Sequence, residues 1–347
     1  GGGGGVYVQV NSLAEGELRA VANRHFREAG RVGIAALRYV PAADESLELL
    51  RYRAGHLDVT ASIPTDQVGW ARRERPAELQ LAPQNSTFFL GLNLRHGPLR
   101  QSPGLREALS LVIDRDWLTS QLLGAGQVAS YRLVPPELLD EPAVLPAWRQ
   151  WSMEARVRLA TRLMASAGHG RRRPLRLRVL YNRHSTVRRV VLAIAAMWRE
   201  RLGVEVQFLD EEFATFLESR RRRTAWDVVR LGWTADFPDA ASFLEVFRST
   251  SADNDVGHAD RDYDAWLDKA ASTTGAVRRE ALQAAEARLL GNHCLVPVYF
   301  LAARRLVSRD VVATRPTAMH PGMTRHWRWA GSGPENAGHR PGDDPGQ

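Results

Sequence analysis

A single cysteine, Cys294, and a single lysine, Lys269, stand among 347 residues. One cysteine excludes an internal disulfide. It leaves the compartment open, because a domain with a full core needs no covalent staple. No run approaches the ~20 uninterrupted apolar residues that cross a bilayer. The longest candidate, Val187–Trp198, is broken by Arg188 and Arg189 and reads as a core helix. The opening Gly1–Gly5 lacks the charged and apolar regions of a signal peptide. No His-Glu-x-x-His, Gly-x-Ser-x-Gly or phosphate-loop pattern occurs, and no spacing suggests paired metal ligands. Neither a cofactor nor a metal is expected, and no nucleophile–base pair marks an enzyme.

The cations are almost all arginine, and the formal net charge is +8. A basic chain invites a nucleic-acid partner. The runs Arg171–Arg173 and Arg220–Arg223 are short, however, and carry no interleaved aromatics for base stacking. They read as solvated surface, and no nucleic acid is expected. His293 beside Cys294 suggests a thiol–imidazole pair only until strand alternation is considered, since neighbours on a strand face opposite ways.

The order of elements predicts an α/β fold. Strands are expected at Leu37–Val40, His56–Thr60, Thr87–Asn93, Leu175–Tyr181, Val204–Phe208, Trp226–Leu231 and Leu295–Leu301. Helices are expected at Glu45–Ala54, from Ser102 as N-cap through Ile113, at Asp116–Leu123, Ser152–Ala167, Ser185–Leu202, Ser242–Phe247 and Ala276–Leu290. Glycines 55, 124, 168 and 203 mark helix ends. The strand–helix–strand stretch from Leu175 to Phe208 implies two parallel strands.

One stretch stands apart. A β-rich run, Trp226–Leu231, ends at Gly232-Trp233 and an acidic turn, Thr234-Ala235-Asp236-Phe237-Pro238-Asp239. Carboxylates just past the carboxyl end of a strand in an open α/β sheet lie where such sheets bind ligands. The plainer reading is that Asp236 caps the next helix and Trp233 is core.

This stretch, followed by Ser242-Phe243-Leu244, resembles the peptide-binding members of the bacterial extracellular solute-binding family 5. Further motifs follow in that family's order: Arg51-Tyr52-Arg53-Ala54-Gly55-His56-Leu57-Asp58, Val112-Ile113-Asp114-Arg115-Asp116, Leu180-Tyr181-Asn182, Met197-Trp198, Thr215-Phe216-Leu217, Val296-Pro297-Val298-Tyr299 and Arg325-His326-Trp327. The similarity runs from about Ala20 to about Ala330. It implies a type II periplasmic-binding-protein fold with two lobes of mixed sheets. It also implies a substrate-binding role for an ABC importer, with oligopeptides as cargo, permease subunits as partners, and a monomeric state. The full-length protein is then expected in the periplasm or as a cell-surface lipoprotein. Other cargoes on the same scaffold are a nickel chelate, haem, a murein peptide or a sugar. A ligand-sensing domain of a transcriptional regulator is the alternative of another class.

Carried over by position, the resemblance makes Asp236 the anchor for a ligand ammonium. Arg230, with Arg220 or Arg221, would suit a peptide carboxylate. Trp233 and Phe213 would be aromatic walls and Asn182 a polar one. In some relatives a disulfide joins the positions of Ser86 and Thr234, and a glutamate stands at Gly91. The expected layout is a leader at 1–19 outside the family, part of a first lobe at 20–85, a second lobe at 86–300, a return to the first lobe at 301–330, and a disordered tail at 331–347. The N-terminal segment of full-length members is expected to be missing, leaving a truncated protein that holds peptides more weakly than a complete relative.

Overall fold

The computed structural model describes residues 7–12, 16–25, 27, 29, 32–139, 145–235, 237–313 and 327–330. Gly1–Gly5 of the expected leader, Asp236, Arg325, His326 and the tail at 331–347 lie outside the described residues. The chain divides into two compact units, Gly1–Pro83 with Ala302–Gln347, and Gln84–Leu301.

In the first unit, β1 (Tyr7–Ser12), β2 (Leu18–Ala22) and β3 (Ala36–Tyr39) form an antiparallel sheet in that order. Helix α1 (Glu45–Arg53) starts where the Asp44 carboxylate accepts the Leu47 amide at 2.8 Å. Its first turn carries Glu45 and Glu48 and its last Arg51 and Arg53, matching the helix dipole. Helix α2 follows at Val68–Glu74. The strand expected at His56–Thr60 does not form. Val59 makes only an isolated bridge to Val307. Single hydrogen bonds follow, from the Thr60 amide to Leu306 O at 3.0 Å and from the Ile63 amide to Arg304 O at 3.1 Å. The segment meets its neighbour one bond at a time and never builds a ladder.

The second unit is built on one six-stranded sheet. Strand β4 (Leu79–Leu92) enters it. Helix α3 (Pro103–Leu111), α4 (Arg115–Trp117), β5 (Val128–Ala129), α5 (Met153–Ser166), β6 (Arg176–Asn182), α6 (Ser185–Leu202), β7 (Glu205–Glu211), α7 (Phe213–Arg222), β8 (Val228–Thr234), α8 (Ala241–Leu244), α9 (Arg261–Ala271) and α10 (Gly275–Gly291) follow. Strand β9 (Leu295–Leu306) leaves it, and β10 (Val311–Val312) pairs with β11 (Arg328–Trp329) in the first unit. The sheet order is β5-β9-β4-β8-β6-β7, with β6 parallel to both β7 and β8 and β4 antiparallel to β8.

Alternation along the strands sorts the core into two layers. Phe88, Leu90, Val179, Tyr181 and Val298 join the apolar faces of α3, α5 and α6. Phe89, Leu180, Val229 and Leu231 join Phe216 of α7, Tyr263 and Leu267 of α9, and Leu282 and Leu289 of α10. Each such fully buried large side chain contributes about 1.5–3 kcal/mol of hydrophobic stabilisation. The caps explain the helix starts. Ser102 and Ser152 accept the amides of Leu105 and Ala155, at 3.3 and 3.2 Å.

The structure departs from expectation where side chains compete with the backbone. The helix expected at Asp116–Leu123 begins earlier, with Asp114 accepting the Trp117 amide at 3.0 Å, and widens to a π-helix over Leu118–Leu123. The Thr119 and Ser120 hydroxyls donate back to the carbonyls of Arg115 and Asp116, at 3.0 and 2.6 Å, which loosens the regular ladder. Helices α7 and α9 were not anticipated. Nor does His293 face away from Cys294 along a strand. It occupies a left-handed turn with φ 52° before β9 begins, 3.8 Å from Glu107, while the buried Cys294 thiol donates to Leu289 O. Among the described residues no helix is long and apolar enough to cross a membrane.

A buried carboxylate ties α10 to the segment after β5. Glu286 accepts the amides of Leu133 and Val134, at 3.0 and 2.8 Å, and Nη2 of Arg132 at 2.8 Å. Burial pushes its carboxyl above the usual range against the pull of Arg132 and those amides. Removing one partner of a buried pair strands the other. Glu286→Ala should therefore lose about 3–5 kcal/mol of unfolding free energy in urea titrations, and Glu286→Gln, which keeps an acceptor for the amides, should lose less.

His258 supplies a pH signature. Its Nδ1–H donates to Phe247 O at 2.9 Å, and its Nε2 accepts from the Asn292 amide at 3.0 Å, which also donates to Asp260 at 2.9 Å. A proton on Nε2 would set donor against donor. Burial lowers the imidazole pKa, opposed by the Phe247 carbonyl, Asp260 and Asp264 and reinforced by Arg288. The neutral ring's stabilisation is complete above the unfolded value of about 6.5 and is lost as pH falls through it toward the lowered folded value. Urea melts at pH 7.5 and 5.5 should show a larger acid loss in the native chain than in His258→Gln.

Candidate ligand-binding site

The parallel strands β6, β7 and β8 turn their carboxyl ends to one edge, β6 and β7 ending level and β8 running three residues further. Asn182 closes β6, Glu211 closes β7, and Trp233 lies one residue before the end of β8. Phe213 opens α7 directly beyond β7, exposed, with its ring centroid 6.3 Å from that of buried Phe216. Asn182 is 9% exposed, yet among the described residues its Oδ1 has no hydrogen-bond partner. The Trp233 indole N–H is also buried and, among the described residues, unpaired.

Three residues therefore gather at this edge: Asn182, Trp233 and Phe213. Arg230 does not join them. It sits three positions before Trp233 and so faces the opposite side of the sheet. There its guanidinium lies 5.2 Å over the Phe88 ring, which stacks on Tyr299 at 4.8 Å. Burial lowers its pKa, Tyr299 opposing and nearby Arg220 reinforcing. No carboxylate pairs with it among the described residues, and its buried Nε has no partner.

Arg220 lies seven residues after Phe213, about 10 Å along α7. It forms an ion pair with Asp255 at 2.9 Å, and Arg223 reaches the same carboxylate at 3.5 Å. Asp255 is 4% exposed, and burial raises its carboxyl against both arginines. The run Arg220–Arg223 is thus only partly solvated surface, whereas Arg171–Arg173 is exposed throughout. Arg221 is exposed.

Glu211 escaped the sequence reading. The run Asp210-Glu211-Glu212 looks like a solvated acidic end. Arg183 pairs with Asp210 at 3.1 Å and with Glu212 at 2.9 Å. Glu211 alternates to the other face, and its Oε2 is buried without a partner among the described residues. The strand period alone, with Leu209 in the core two residues earlier, was the signal available. Among the described residues no three His, Cys, Asp or Glu side chains gather as a metal site.

Two positions singled out in the sequence meet in β4 and β8. Ser86 and Thr234 are register partners, and their hydroxyls are hydrogen-bonded at 2.8 Å. At Gly91 a Cβ would come within 2.6 Å of Val256 and 2.7 Å of Leu231. These apolar side chains occupy the space that any side chain at 91 would need.

The profile of the bacterial extracellular solute-binding proteins, family 5 Middle, matches residues 3–255. The chain belongs to this family. It is 29% identical over 305 residues to the periplasmic oligopeptide-binding protein OppA of Salmonella typhimurium, covering 87% of this chain and 56% of that protein. It is 31% identical over 300 residues to a probable deoxycholate-binding periplasmic protein, YgiS, of Escherichia coli, covering 85% and 55%. The solved structure of the Escherichia coli murein tripeptide binding protein MppA superposes with a TM-score of 0.79 at 27% identity, covering 94% of this chain and 64% of that one. The family member thus spans little more than half the length of the curated relatives it matches. Its fold is that of the type II periplasmic binding proteins.

The Ser86–Thr234 contact makes a structural prediction. In Ser86→Cys/Thr234→Cys the two thiols should oxidise, because the register already aligns the side chains. Cys294 should not compete, since burial pushes its thiol up to about 12. The oxidised form should unfold about 2–4 kcal/mol later than the reduced form in urea.

Proposed function

We propose that this family member is the substrate-binding component of an ABC importer and captures oligopeptides, working in the periplasm with permease subunits in its full-length form. The observation that carries the reading is the set of unpaired buried polar atoms at one edge of the sheet. Asn182 Oδ1 needs a donor and the Trp233 indole N–H needs an acceptor. A peptide main chain offers both kinds of group at every residue, as extended recognition requires. Buried polar groups left without partners cost about 1–3 kcal/mol each, so a ligand that pairs them recovers that free energy. Relatives named for oligopeptides and a murein tripeptide support the same cargo class.

In this reading Asp236 anchors the ligand ammonium, two residues beyond the end of β8. Trp233 and Phe213 supply apolar walls, and Asn182 a polar one. Arg230, and Arg221 or Arg220, would receive a carboxylate. Arg230 suits that role, because a buried guanidinium without a carboxylate favours an anionic partner. Arg220 must share its charge with Asp255.

Isothermal calorimetry with tri- to pentapeptides tests the cargo, with deoxycholate as a competing arm prompted by the YgiS likeness. Peptide binding should be lost in Asp236→Asn while the melting temperature barely moves. Loss of one partner of a desolvated ion pair costs about 3–5 kcal/mol, which takes a micromolar complex beyond detection. Binding of deoxycholate with none of peptides would replace the cargo. Unchanged peptide affinity in Asp236→Asn would leave Asp236 a turn residue.

A further inference from the structure

We propose that Glu211 and Asn182 together form a subsite for a cationic side chain of the ligand, a guanidinium or an ammonium. The inference rests on reading this edge of the sheet as the ligand site. The two residues are register partners on β7 and β6. In a parallel pair such residues sit about 5 Å apart on the same face. Each presents a buried oxygen with no hydrogen-bond partner among the described residues, Oε2 of Glu211 and Oδ1 of Asn182. Both are acceptors, so neither can satisfy the other.

The neighbouring charges do not neutralise Glu211. Arg183 follows Asn182 directly, but its guanidinium is committed to Asp210 and Glu212 on the opposite face. No ion pair reaches Glu211 among the described residues. The site therefore holds two oxygen acceptors and one formal negative charge. A calcium ion demands six to eight oxygens, far more than this pair supplies. An ammonium carries three N–H donors and a guanidinium five; one charged and one neutral acceptor take part of either set and leave the rest to water or to the ligand itself. The unpaired Trp233 indole N–H, on the neighbouring strand β8, is the contrary donor. It would take a carbonyl of the same ligand and so discriminate a cationic peptide from a bare amine.

Two arms test the subsite and separate it from the cargo reading. The first uses propylguanidinium, which has no peptide group. Titrated into the chain with labelled asparagine and tryptophan, it should shift the side-chain amide resonance of Asn182. That shift should vanish in Glu211→Gln, which keeps the shape and removes the charge, and in Asn182→Asp the propylguanidinium response read at the Trp233 indole N–H should grow. Thermal melts confirm that both variants fold. No shift at Asn182 in the native chain overturns the subsite, and so does an equal shift in folded Glu211→Gln.

The second arm compares Ala-Arg-Ala with tri-alanine by calorimetry. Glu211→Gln should weaken Ala-Arg-Ala at least ~10-fold, as the loss of a charged hydrogen bond does, and leave tri-alanine within about twofold. Equal weakening of both peptides overturns selectivity for the cation. A propylguanidinium response without binding of either peptide upholds the subsite and rejects the peptide cargo.

Discussion

The register between β4 and β8 is the constraint on which the candidate site depends. Seven pairs run from Ser86 opposite Thr234 to Leu92 opposite Val228. A slip of one residue would turn every side chain of β8 to the other face. Arg230 would leave the Phe88–Tyr299 stack, and Trp233 would leave the layer under α7. The register is held at both ends. At one end the Ser86 and Thr234 hydroxyls meet. At the other, the Asn93 amide nitrogen Nδ2 donates to the carbonyls of Arg223 and Trp226, and its backbone N–H to Asp227. Gly91 completes the fit, since any side chain there would displace Val256 and Leu231.

Much of this was legible in the sequence wherever one face of an element is apolar and its end is marked. Helix α6 follows its stripe from Val187 to Trp198 and stops at Gly203, which takes φ 72°. The parallel pairing of β6 and β7 follows from that crossover. Strand ends were less legible. Both β7 and β8 run three residues past the expected stop, to Glu211 and Thr234. The extra residues are polar or small and carry no period strong enough to read, yet they are the ones that form the edge. Helix α7 was hidden for a similar reason. Its last turn is all arginine, and only Phe216 and Ser219 are buried. The candidate site residues were named through resemblance alone. Their division between two sheet faces needed the coordinates.

Arginine does work here that lysine would not. Arg115 is 1% exposed and has no carboxylate among its hydrogen-bond partners. Its guanidinium instead donates to the carbonyls of Pro297, Ser110 and Ile113 and to the Ser110 hydroxyl, and lies 4.8 Å over the Tyr131 ring. Arg106 likewise bridges Leu99, Arg100 and Asn292 through their carbonyls. A planar fork with five donors can satisfy several backbone acceptors and stack on an aromatic ring at once. Arg132, Arg156 and Arg305 are buried as well, so part of the surplus positive charge is interior and says less about partners than its size suggests.

The two edges of the sheet are used differently, and that contrast is the strongest physical argument for where a ligand sits. At the amino end of β6 and β8 two buried carboxylates are paired. Asp227 accepts the Arg178 backbone amide at 2.8 Å and its guanidinium at 3.1 and 3.0 Å, and Asp255 is flanked by Arg220 and Arg223. At the carboxyl end Asn182 Oδ1 and Glu211 Oε2 are left open, while Arg183 is spent on the outward carboxylates. A fold able to pair these carboxylates at one edge has the arginines to do so at the other. Stability alone would favour closing that edge as well. Leaving it open costs folding free energy that only a partner supplying donors can return, and in open α/β sheets the carboxyl edge is where such partners bind.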